Sequence, residues 1–109
     1  MADARDDPHG PRINHYEHAA KEAVVAHPLP GEDLDTAYLE DAQMWVTVYR
    51  ELLAFKQTLI QDTDRALTTM PQVACEEVRA TDAVILAAEA QRFRNRLALW
   101  EARCVELSG

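Results

Sequence analysis

The sequence predicts an all-α protein: a short N-terminal helix followed by a long antiparallel helical hairpin that dimerises into a four-helix bundle. Three observations carry that expectation. Apolar residues recur at heptad spacing through both halves of the chain. Between the halves lies Thr68-Thr69-Met70-Pro71-Gln72, a short break with turn chemistry. The apolar stripes are also wider than one helix-helix contact needs. Composition agrees, since three glycines, five prolines and 48% apolar residues with few β-branched runs favour helix over sheet.

Residues 1 to 12 hold two prolines, a glycine and scattered charge with little to bury, which predicts a disordered tail ahead of a single domain spanning 13 to 109. Asn14 and Glu17 have capping-box spacing, and Tyr16, Ala20, Ala23, Val24 and His27 recur at helical intervals until Pro28. The first helix is therefore expected over about 15–26. His27-Pro28-Leu29-Pro30-Gly31 then reads as a stiff connector, because two prolines remove donors and restrict the residues before them.

A second helix is expected over about 33–68. Tyr38, Trp45, Leu52, Leu59 and Ala66 repeat every seven residues, with Leu34, Val48 and Phe55 on the adjoining stripe, interrupted at Asp41 and Asp62. A parallel series of Leu39, Val46, Leu53, Ile60 and Leu67 broadens the apolar surface to roughly 160° of the cylinder. Such a helix should meet more than one neighbour.

A third helix is expected over about 71–106, with Leu86, Ala90, Phe93, Leu97, Trp100, Cys104 and Leu107 alternating in steps of four and three. From Ala83 to Ala88 it is apolar all round, which predicts enclosure on every side. Were 34 to 106 a single kinked helix, it would be a rod about 110 Å long with no intramolecular partner. The TTMPQ stretch instead matches the usual length of a connection between antiparallel helices, and Pro71 suits a first turn. Either Thr69, at capping-box spacing from Gln72, or Met70, which precedes the proline, should cap the new helix. A reversal between Thr69 and Met70 brings Glu89 opposite Arg50, Trp45 opposite Phe93 or Arg94, and Tyr38 near Trp100.

Charge bounds function. A net charge of −8 argues against general nucleic-acid binding, which needs a basic surface to neutralise phosphate. The acid concentrates in residues 32–68, where three basic and eight acidic side chains leave −5. Cys75 and Cys104 lie roughly 40 Å apart on one helix, too far for an intrachain disulfide, and free thiols suit a reducing compartment. With no apolar signal core and no run of ~20 apolar residues, a cytoplasmic protein without a membrane span is expected.

Few residues invite chemistry. His15, His18 and Glu22 have spacing that lets two imidazoles and a carboxylate share a helix side, a weak candidate metal set against the simpler reading of an exposed first turn. Trp45, Tyr49, Phe93 and Trp100 are candidate ligand-pocket walls, with an aromatic core as the simpler reading. Arg92, Arg94 and Arg96 are a candidate anion or ion-pair cluster. Both cysteines are expected to be inert and packed. No Gly-rich phosphate loop, nucleophile elbow or paired Cys-x-x-Cys occurs. No enzyme activity and no cofactor are therefore expected.

The favoured reading is a protein-protein interaction module, an adaptor or regulatory subunit working as a homodimer or larger assembly and engaging another protein. Its core and dimer contacts are expected from Leu39, Trp45, Val46, Tyr49, Leu53, Ile60, Leu86, Phe93, Leu97 and Trp100. A small-molecule- or metal-binding bundle is the second reading. A DNA-associated regulator, resting on residues 92 to 96 alone, is the third.

Overall fold

The computed structural model describes residues 28–109, so the N-terminal tail and the helix expected over 15–26 lie outside the described residues. Within them the secondary structure is helical, with no strands: α1 (Leu39–Leu67), α2 (Gln72–Ala80) and α3 (Asp82–Ser108). Residues 28–38 precede α1 as a non-helical strap.

The strap is built by turn chemistry. Glu32 N–H donates to the Leu29 carbonyl at 3.0 Å across Pro30 and Gly31, and Gly31 sits at φ 86°. Proline at the second position and a left-handed glycine at the third make a type II turn. A second turn follows, in which Thr36 N–H reaches the Asp33 carbonyl at 3.1 Å and the Asp33 carboxylate takes the Asp35 N–H at 2.9 Å. These local bonds offer the backbone an alternative to helix. Hence α1 starts at Leu39 and not near residue 33, and Leu34 packs on the core from the strap instead of from α1.

At the other end of α1, the Thr68 hydroxyl donates to the Arg65 carbonyl at 2.7 Å and the Thr69 N–H to the Ala66 carbonyl at 3.3 Å. Both threonines therefore close the outgoing helix. The N-cap of α2 is Pro71, with extended geometry, so neither Thr69 nor Met70 caps it; Gln72 turns to Glu76 instead. Buried Cys75 donates its thiol to the Leu67 carbonyl, fastening α2 to the end of α1.

The helix expected over 71–106 is two helices joined by a bend at Thr81, whose φ −122° and ψ −84° leave helical space. The buried Thr81 hydroxyl donates at 2.8 Å to the Glu77 carbonyl, which also receives the Thr81 N–H at 3.1 Å. These bonds carry the last turn of α2 up to the bend; Thr47 and Thr58 make the same hydroxyl bond within the unbroken α1, so the hydroxyl alone does not set the break. The apolar segment after the bend is less enclosed than expected: Ala83 to Leu86 are half-buried, Ala87 is exposed and Ala88 is buried.

Beyond the bend α3 runs antiparallel to α1. Their shared core is Ala42, Val46, Tyr49, Phe93 and Trp100, onto which Leu29, Leu34, Trp45, Leu52, Leu53, Leu97, Cys104 and Leu107 pack. The register differs from the expected one. Lys56, not Arg50, meets Glu89 at 2.5 Å, and Arg50 reaches Glu101 at 3.2 Å. Trp45 faces Trp100, and Tyr38 is exposed. The displacement follows from α2, which uses chain length in the link that an unbroken helix would have spent alongside α1.

Candidate functional site

Three features merit reading for function: the polar cluster under the strap, the aromatic core beneath it, and the outer face of α1.

The polar cluster centres on Glu32, whose side chain is 0% exposed. The strap's type II turn drives it between the helices, where Oε1 accepts from Tyr49 Oη at 2.5 Å and from the Leu29 N–H at 2.7 Å. Oε2 accepts from Trp100 Nε1 at 2.5 Å and from Arg96 Nε and Nη2 at 3.1 and 2.5 Å. Burial by itself pushes the Glu32 carboxyl up. Donation from Tyr49, Trp100, Arg96 and the Leu29 amide outweighs that and holds it below its ordinary 4.5. Burial raises the Tyr49 hydroxyl, and the Glu32 carboxylate raises it further. For Arg96, burial works against the charge but the Glu32 carboxylate reverses this and raises the guanidinium. A second bond, Arg103 Nη2 to the Thr36 carbonyl at 2.7 Å, fixes the other end of the strap to α3.

Chemically this arrangement is a clamp. A general acid or base needs a protonation state that changes near the working pH and a route to a substrate. Glu32 stays ionised, and both of its oxygens are filled by the chain's own donors. The cluster ties strap, α1 and α3 together through one carboxylate.

The candidate pocket residues meet each other. Trp45 and Trp100 stack with centroids 6.2 Å apart at 21°, Tyr49 and Phe93 tilt at 5.9 Å, and Trp45 and Tyr49 lie 6.3 Å apart. Tyr49, Phe93 and Trp100 are buried. Of the candidate core and dimer residues, Val46 is also buried, while Leu39, Trp45, Leu53, Ile60, Leu86 and Leu97 are half-buried. The arginines disperse: Arg96 enters the Glu32 cluster, Arg94 donates to Gln91, and Arg92 lies 4.8 Å from the Phe93 ring centroid. His15, His18 and Glu22 lie outside the described residues; among the described residues no group of three or more His, Cys, Asp or Glu side chains has metal-site geometry. Two open clefts flank the hairpin, one between Val46, Arg50, Glu101 and Cys104, the other between Leu34, Leu99, Arg103 and Glu106.

The outer face of α1 carries what the hairpin leaves over. Val48, Leu52, Phe55 and Leu59 follow one another in steps of four, three and four, about 100° around the helix from the row that meets α3. Phe55 is 61% exposed and Met44, on the edge of the same stripe, 50%. Val48, Leu52 and Leu59 are half-buried. On α3, Leu99 is 47% exposed.

Sequence reasoning singled out Tyr49, Arg96 and Trp100 but passed over Glu32, the residue that joins them. The available signal was Pro30-Gly31, a turn pair between Leu29 and Leu34, which gives a strap with apolar anchors and the two acidic side chains Glu32 and Asp33 after the turn.

No family model, curated protein or solved structure matches this chain.

Proposed function

We propose that this chain is a non-enzymatic protein-protein interaction module, an adaptor or regulatory subunit that assembles as a homo-oligomeric helical bundle and presents α1 as its docking face. The observation that carries the reading is Phe55, a large aromatic side chain left 61% exposed at the centre of a heptad-spaced apolar stripe. An isolated exposed apolar residue is ordinary, but a stripe at helical spacing is the pattern by which one amphipathic helix receives another. Burying one further Phe or Leu at such a contact contributes about 1.5 to 3 kcal/mol, so a few residues suffice for stable association. The Glu32 clamp supports the same role by holding α1 and α3 as one rigid surface.

Light scattering on the full chain and on Phe55→Asp tests this. The wild type should give the mass of a dimer or larger at micromolar concentration and the variant a folded monomer. Equal masses for both would remove the stripe from the account.

A further inference from the structure

We infer that the α1 stripe takes a basic amphipathic helix of another protein in preference to a second copy of this chain. The inference rests on the interaction-module reading above and names the partner's chemistry.

Charge around the stripe is the reason. Asp41 lies at one end and Glu51 beside its centre, both exposed, and the exposed Asp62 at the other end is paired with Arg65. The basic residues of α1 are already committed. Arg50 pairs with Glu101 on α3, Lys56 turns inward to Glu89, and Arg65 pairs with Asp62. The stripe from Met44 to Leu59, about 22 Å long, is thus an apolar strip with an acidic rim and no uncommitted cation on its own helix.

A second copy brings the same acids. Two α1 stripes laid face to face bring Glu51 near its own equivalent in either direction and add no free cation of α1, between chains that each carry −8. A helix with leucines or similar residues at heptad spacing and lysines or arginines beside them fills the same strip and pairs with the rim. The two occupants have opposite salt dependence. Screening over about 8 Å at physiological ionic strength relieves repulsion between copies, so added salt tightens self-association; it loosens a complex with a basic helix. In the absence of such a partner the chain pairs with itself, and the basic helix displaces the second copy.

The test uses the full chain and two labelled synthetic helical peptides with identical leucine positions, one carrying lysine and the other glutamate on its polar face. Fluorescence anisotropy is read at low and high salt for the wild type, Phe55→Asp and the double variant Glu51→Lys/Asp62→Lys. Circular dichroism checks that each variant is folded, as expected for exposed positions. The lysine peptide should bind the wild type and weaken with salt. It should bind Phe55→Asp roughly tenfold or more weakly. The double variant should shift its preference to the glutamate peptide. Equal binding of both peptides, or an unchanged affinity in Phe55→Asp, overturns the inference. So does a wild-type dimer that the lysine peptide cannot dissociate; that outcome makes the second copy the occupant and leaves the interaction-module reading standing. A folded monomer that binds neither peptide removes both.

Discussion

Replacing Glu32 by alanine should be the most damaging single change among the described residues. The substitution removes the acceptor of five hydrogen bonds from four residues and leaves the Arg96 guanidinium, the Tyr49 hydroxyl and the Trp100 indole N–H facing a gap. Removing one partner of a buried ion pair costs about 3 to 5 kcal/mol, because the remaining charge is desolvated without compensation. Arg96 retains 16% side-chain exposure, so water reaches part of it and the lower end, about 3 kcal/mol, is expected. Against a typical total of about 5 to 15 kcal/mol this is a large fraction, and for a domain of this size it lowers Tm by roughly 12 to 24 °C. Urea and thermal unfolding followed by circular dichroism measure the loss. Trp45 and Trp100 fluorescence reports locally on the stacked pair next to the cluster. A Glu32→Ala protein within about 0.5 kcal/mol of the wild type, the scatter of ordinary surface substitutions, would refute the clamp.

Other outcomes follow from the same contacts. Because the folded Glu32 carboxyl lies below its ordinary 4.5, its ionised form contributes stability that is fully present above that value and is lost as pH falls through the folded value. The stability gap between wild type and Glu32→Gln should therefore be flat near neutrality and shrink below about pH 4.5, as read by urea titrations across pH. Gly31→Ala should cost about 1 kcal/mol or more from backbone strain at φ 86°, and Gly31→Asn less; no atom lies within 4 Å of the added Cβ, so a clash cannot account for it. In native protein a thiol reagent should modify half-buried Cys104 well before buried Cys75, whose sulfur is bonded to the Leu67 carbonyl, and denaturant should equalise the two rates.

The helical class and the helix break at TTMPQ were legible because both rest on local, periodic signals. Heptad apolar spacing marks a helix face over many residues, and Pro71 interrupts it once. The bend at Thr81 was not legible, since a threonine followed by aspartate just ahead of a strongly apolar run looks like a tolerated surface pair. The break shows only in the folded backbone, where Thr81 leaves helical angles; its hydroxyl bond to the Glu77 carbonyl is of the kind Thr47 and Thr58 make inside the unbroken α1. The register followed from that break: a nine-residue helix inserted before the bend moves Glu89 from Arg50 to Lys56 and gives Arg50 to Glu101. Glu32 was hidden for a different reason. An acidic residue in the run Glu32-Asp33-Leu34-Asp35 after a Pro-Gly turn is usually solvated, and the burial of Glu32 depends on donors 17, 64 and 68 positions away. Long-range polar satisfaction has no periodicity to betray it.

The surplus apolar width of α1 was also visible in the sequence, and it remains in the folded chain as the exposed Phe55 and its half-buried neighbours. Sedimentation velocity across the micromolar range, run at low and high salt on wild type and Phe55→Asp, weighs that surplus most directly. The account predicts a concentration-dependent dimer that tightens with salt in the wild type and a folded monomer throughout in the variant. A wild-type chain that stays monomeric at every concentration and salt, with Phe55 open to solvent, would contradict it.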